Sequence, residues 1–248
     1  MLRGFYAAGT GILGQSRAID IAANNMANAE TAGYKKDGVA MQSFGDYLVS
    51  LSSTAEGSAS IGRISHGAVA GTVYTAYDQG ALEQTGQSGD LAILGEGFFT
   101  VRLPDDTTAM TRNGHFLVNA DGYLTDTAGN LLLGQNGPIQ TEGADFTVGA
   151  DGEITVGDST AGTLLISCPA DASALVKIAE GLYADTGNQT SGTFSGQIVQ
   201  GALEKSNVDV ASEMMDLMAA SRSFQSCSQI LKMMDQTLAK TVGELGKV

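Results

Sequence analysis

The chain has 248 residues, enough for one large domain or two modest ones, and carries 27 acidic against 13 basic residues, a formal charge of −14. That balance excludes phosphate backbones and anionic membrane surfaces as natural partners, since both call for clustered Lys and Arg. No apolar run reaches the roughly 18 residues a membrane span needs, so neither nucleic-acid binding nor membrane insertion is expected.

At the N-terminus, Phe5, Ile12, Ile19 and Met26 recur at strict seven-residue intervals. This predicts a helix with a coiled-coil seam over about 1–32. The interleaved Leu2, Gly9, Ser16 and Ala23 are mostly small and are expected to let a partner backbone come close. Gly9-Thr-Gly-Ile-Leu-Gly14 has the form of a dinucleotide-binding fingerprint. That motif needs a preceding strand, and the heptad crosses it unbroken, so it reads as coincidence. Arg3 and the mildly apolar GFYAAGTGILG could pass for a secretory leader, but four glycines weaken it and no cleavage is expected.

The helix then meets IAANNMANAETAGYKK, residues 21–36. Each Asn costs an isolated helix roughly 0.5 kcal/mol relative to Ala. Asn24 and Asn28 are four apart and share a face. A helix end explains Gly33 but not Asn24, more than two turns upstream. Residues 33–75, rich in Ser, Gly and Ala, and 185–206 read as an extended connecting region.

Residues 76–184 change to short apolar runs separated by Gly, Asp and Asn, predicting a mainly antiparallel β-domain. VNADGYLT (118–125) and VGADGEIT (148–155) echo one another, each with an Asp-Gly poised for a two-residue hairpin turn. Both lack the further oxygen ligands of a calcium loop, so the turn reading is preferred. Asp105-Asp106 after Pro104 reads as a turn, and His66 and His115 lie in unlike segments. No triad, metal-ligand spacing or cofactor motif emerges, and Cys168 and Cys227 read as free thiols. Nothing in the pattern argues for an enzyme.

At the C-terminus the heptad returns without a break in Val210, Leu217, Phe224, Leu231, Leu238 and Leu245, predicting a helix over 207–248. Its interleaved positions are Met214, Ser221, Ser228, Asp235 and Val242. The simplest arrangement pairs the two terminal helices, and an ordinary two-helix core element stays open beside the coiled coil. The fold class expected is α+β: paired terminal coiled-coil helices (1–32 and 207–248), the connecting region, and an outer β-domain. Polar residues left near the seam need partners if buried, and neighbouring copies could supply them.

Ala23-Asn-Asn-x-Ala-Asn-x-x-Thr-x-Gly-Tyr-Lys35 resembles the N-terminal signature of bacterial flagellar rod and hook proteins. DLAILGEGFFTV (90–101), TRNGHFLVNADGYLT (111–125) and GALEKSNVDV (201–210), with Arg222 and Phe224 beyond, resemble further segments of that family, in order and over nearly the whole chain. Gln87-Ser-Gly89 departs from the Asn-Pro-Leu often found there, which puts only that loop in doubt.

The resemblance implies a self-associating axial subunit of the basal body, contacting other rod proteins and the hook protein and exported through the flagellar type III apparatus without a cleaved signal. Its length fits a rod protein better than a hook-type subunit. Under that reading Phe5, Ile12, Ile19 and Met26 with Leu217, Phe224, Leu231 and Leu238 form the helical seam. Asn24, Asn25, Asn28, Thr31, Gly33, Tyr34, Lys35, Asn207 and Arg222 are expected at subunit contacts. The rivals are an extracellular binding module that its helices oligomerise and, more remotely, a cell-wall hydrolase carried on a rod subunit.

Overall fold

A computed structural model describes residues 2–43, 46–51, 59–65, 67–141, 145–157, 159–179, 181–185 and 194–245. His66 and the side chains of Leu2 and Leu245 lie outside what is described. The chain forms two compact units: Met1–Ala27 with Asp37–Tyr74 and Asp209–Val248, and Asn28–Lys36 with Thr75–Val208.

The first unit is built on two long helices, α1 (Leu2–Ala27) and α2 (Val210–Leu245), packed on each other. Gly9, Gly11 and Gly14 lie inside continuous α1, so the apparent dinucleotide motif is helical throughout. Asp209 starts α2 as an N-cap, its Oδ1 accepting the Ala211 N–H at 3.1 Å and its carbonyl the Glu213 N–H at 2.9 Å. The region expected to be extended pairs instead: Asp37–Ser43 joins Ala68–Thr75, and Asp46–Leu51 pairs antiparallel with Ala59–Ser65. Its β-branched and alternating residues satisfy their backbone groups in ladders rather than in water.

α1 stops at Ala27, five residues short of the expected end. Turns take over: the Thr31 N–H reaches the Asn28 carbonyl at 3.2 Å, and the Tyr34 N–H the Thr31 carbonyl at 3.3 Å. Gly33 sits at φ +69°, where a β-carbon would overlap the Arg112 carbonyl.

The second unit carries the β-domain. Its main sheet runs, in spatial order, Leu175–Ala179, Leu182–Asp185, Thr108–Thr111, Phe98–Arg102, Leu131–Gly134, Leu124–Thr125 and Leu117–Val118, all antiparallel. Phe146–Val148, Glu153–Val156 and Ser159–Thr163 make a three-stranded sheet. Phe99 and Phe116 meet edge to face at 5.3 Å in the core, beside Leu91, Ile93, Val101, Leu124, Leu132 and Ile154. Each such side chain gains roughly 1.5–3 kcal/mol on burial. Residues 185–206, expected among the connectors, contribute Gln197–Gln200, paired with Leu91–Leu94, and Ala202–Glu204, paired with Leu82–Gln84.

Both echoed segments are hairpins, but the loops hold three residues rather than two. Asn119 and Tyr123 bond across Ala120-Asp121-Gly122, and Gly149 and Glu153 across Ala150-Asp151-Gly152. Gly122 (φ +81°) and Gly152 (φ +86°) supply the left-handed residue that closes a three-residue loop. Asp126–Asn130 repeats the geometry with Gly129 at φ +88°.

Candidate functional site

On α1 the closest approach lies one residue before the expected seam positions Phe5 and Ile12, and on α2 it lies three residues beyond Leu231 and Phe224. A β-carbon on Gly4 would lie 2.6 Å from the Met234 methyl, and one on Gly11 3.3 Å from Cys227 Sγ. Seven residues along α1 thus match seven back along α2, and two further heptads reach Asn25, whose Nδ2 donates to Glu213 Oε2 at 3.2 Å. Gly4 and Gly11 thus approach Met234 and Cys227, and Asn25 meets Glu213, with Ala220 and Glu213 buried on the same helix. The missing side chains of Gly4 and Gly11 let the backbones close up. Ile12, Ile19, Met26, Leu217, Phe224 and Leu231 are half-buried. Phe5 (46%) and Leu238 (40%) are exposed, and Gly9 faces open space.

Asn25 is wholly buried and bonds inside its own unit. Its Nδ2 also donates to the Asp37 carbonyl at 2.8 Å, and its Oδ1 accepts the Asp37 N–H at 3.0 Å. One amide thereby ties α1, α2 and the start of the first strand together, which answers why an apolar-patterned helix carries asparagine here.

Two other expected contact residues, Lys35 and Asn207, belong to a polar node inside the second unit, whose remaining members Glu204 and Arg112 were not among the expected contacts. Lys35 is buried, and its ammonium donates to Glu204 Oε1 at 2.6 Å and to the Asp78 carbonyl at 2.7 Å. Arg112 reaches Glu204 Oε2 at 3.0 Å, donates to the Gly95 carbonyl at 2.6 Å and lies over the Phe98 ring. Glu204 Oε1 also accepts the Gly80 N–H at 2.9 Å. Burial pushes the Lys35 pKa below the ordinary 10.5, with Glu204 opposing. Asn207 bridges the same segments: its Oδ1 accepts the Lys36 N–H at 2.7 Å, and its Nδ2 donates to the Ala76 and Asp78 carbonyls at 2.9 and 3.1 Å.

Asn25, Gly33, Tyr34 and Lys35 are thus buried within single units, and Asn207 bonds to Lys36, Ala76 and Asp78. Asn24, Thr31 and Arg222 are exposed, and Asn28 is half-buried, accepting from Thr31 Oγ1 at 3.2 Å.

Asp105 Oδ1 accepts from Thr107 N and Oγ1, and that bonding holds the Asp105 pKa below its ordinary value on a fully exposed turn. His115 Nδ1 lies 2.6 Å from Asp90 Oδ1, a pair that Thr85 Oγ1 joins. Among the described residues no three His, Cys, Asp or Glu side chains are grouped to hold a metal ion, no disulfide joins Cys168 to Cys227, and Cys168 Sγ donates to the Glu96 carbonyl at 3.6 Å. A cleft of about 540 Å³ in the second unit, walled by Tyr77, Gly95, Phe98, Arg112 and Cys168, has no counterpart among the sequence motifs.

Three family descriptions match in order along the chain: "Flagella basal body rod protein" at 5–35, "Flagellar hook protein FlgE/F/G D1 domain" at 92–156 and "Flagellar basal body rod FlgEFG protein C-terminal" at 199–243. The flagellar basal-body rod protein FlgG of Bacillus subtilis is 32% identical, over 98% of this chain and 98% of its own. The chain belongs to the flagellar basal-body rod protein family. Other members similar to it are the basal-body rod protein FlgF of Caulobacter vibrioides, 33% identical over 94% of this chain and 93% of its own, and the hook-basal body complex protein FlhO of B. subtilis, 28% identical over the full length of both. Rod-family membership makes this chain a structural subunit of the flagellar basal body. The Lys35–Glu204–Arg112 node joins one residue from each of three segments that carried the family resemblance.

Proposed function

We propose that the chain polymerises helically into the rod, a drive shaft around the export channel that carries torque to the hook. The observation that carries this reading is the apolar surface the helix pair leaves in water. Tyr6 (62%), Leu13 (67%), Met215 (62%) and Met233 (58%) are exposed, with Phe5, Met214, Met218 and Ile230 beside them. Exposed apolar stretches of this extent mark interaction surfaces, and an interface between unlike faces propagates into an open helix rather than closing as a dimer. Asn24, Asn28, Thr31 and Arg222 then set lateral register as polar contacts. The neighbours are further copies, other rod proteins and hook protein. Delivery is through the type III export apparatus, and the polymer works outside the cytoplasm.

Sedimentation of the purified chain over rising concentration tests polymerisation. The wild type should assemble, while Met214→Asp/Met218→Asp should stay monomeric with an unchanged thermal midpoint. A wild type that remains monomeric throughout, or a double variant that assembles as well, contradicts the reading. The cleft beside Arg112 favours a second reading, an outer domain that binds a small ligand. Saturable binding to the full chain, lost on filling the cleft with Cys168→Trp, would support it.

A further inference from the structure

We infer that Asn207, with the Lys35–Glu204–Arg112 node beneath it, is a mechanical clamp that gathers the points where the chain leaves the β-rich unit. The chain enters or leaves this unit at Asn28, Lys36, Thr75 and Val208, and three of those four points meet at one side chain. Asn207 Oδ1 holds the Lys36 N–H, its Nδ2 holds the Ala76 and Asp78 carbonyls, and its own N–H reaches the Tyr34 carbonyl at 3.4 Å. The Ala76 N–H closes the ring on the Lys36 carbonyl at 2.8 Å.

One residue further in, Lys35 fastens the first segment to Glu204 of the third and to the Asp78 carbonyl of the second, and Glu204 also takes the Gly80 N–H. Arg112 then anchors Glu204 to the core strands through the Ile93 and Gly95 carbonyls, at 3.3 and 2.6 Å. A pull on any one segment is therefore shared by the other two and passed to the sheet, instead of peeling that segment away alone. Charge-assisted bonds are the stronger kind for this duty, and burial shields them from competing water. Asn207 and Lys35 are positioning residues in this scheme, acting through the backbone they hold.

The mechanical part stands on the geometry alone; its use under torque rests on the rod reading. Asn207→Ala is compared with Ile154→Val, a core variant whose thermal midpoint is first checked to lie within a degree or two of it. In single-molecule pulling of the full chain by its ends, the force that opens residues 75–208 should fall by a third or more in Asn207→Ala and hardly move in Ile154→Val. Equal forces in the two variants overturn the clamp. In cells, motors built with either variant should turn alike at low load, and Asn207→Ala motors should stall or lose their rods several-fold more often as load rises. Identical load curves despite a lowered pulling force overturn the clamp's use under torque. Normal basal bodies in a strain lacking the gene would instead remove the rod reading and leave the pulling result untouched.

Discussion

Glu204 is the residue on which most depends, because two buried cations share its carboxylate. Glu204→Leu leaves Lys35 and Arg112 without a counter-charge and should cost about 3–5 kcal/mol of unfolding free energy. Lys35→Met leaves Glu204 with Arg112 and the Gly80 N–H, and should cost only about 1–3 kcal/mol. Urea unfolding of both variants checks the order, which the clamp geometry fixes even where the magnitudes shift. The lysine also predicts a pH slope. Because burial holds its pKa below 10.5, the unfolded chain binds the extra proton between that lowered value and 10.5. Its contribution to stability therefore rises with pH over that window. Lys35→Met should lack that rise when unfolding is followed from pH 8 to 10.5.

Residue identities in this node were legible in the sequence, but their pairing was not. Lys35, Arg112 and Glu204 each stood in a segment that resembled the family, yet they are far apart in the chain and no local period connects them. Asn25 was expected at a contact, but its partners Asp37 and Glu213 were not legible. Asn24 and Asn25 are neighbours, and an error of one residue in the inward face decides which is buried. Asn25→Leu removes the bonds to both Asp37 backbone groups and to Glu213, and should destabilise the helix pair by about 2–4 kcal/mol. Asn24→Leu, on the exposed side, should stay within about 0.5 kcal/mol of wild type.

For the elements, the heptad pointed to the pairing of α1 and α2, and Leu217, Phe224 and Leu231 are half-buried on α2, while the closest backbone approach falls at Gly4 and Gly11. Hydrophobic periodicity follows bulk, whereas the approach of two backbones follows smallness, here Gly4 and Gly11. The two kinds of glycine in α1 separate these effects. Gly9→Ala meets nothing within 4 Å and should raise stability by about 1 kcal/mol, the ordinary helix-interior gain. Gly11→Leu drives a side chain into Cys227 and should lower it by about 1–3 kcal/mol. Helical circular dichroism on heating distinguishes them by the sign of the shift. In the β-domain, short apolar runs between Gly, Asp and Asn marked the sheet-forming region, but strand bounds and loop length were not readable, since central strands such as Phe98–Arg102 are buried on both faces. Ala-Asp-Gly supports a two- or a three-residue loop, and the bonds of Asn119 and Gly149 select the longer. The hairpin at Asp126–Asn130 lacked the repeated wording and was passed over, though Asp126 Oδ1 takes the N–H groups of Ala128 and Asn130.

At the scale of the whole molecule, a chain with a charge of −14 keeps a wet, acidic exterior and still exposes apolar stretches along both helices. The uneven allocation fits a subunit whose helices finish their packing only in a polymer. Arg222 lies exposed on α2, and Arg222→Glu should leave the monomer's thermal midpoint unchanged while reducing assembly several-fold in sedimentation. The most direct test of the rod subunit is electron microscopy of basal bodies from a strain lacking this gene, beside one producing the chain without residues 239–248. The account predicts a rod that stops short and carries no hook in both strains. Complete basal bodies and normal motility in both would contradict it.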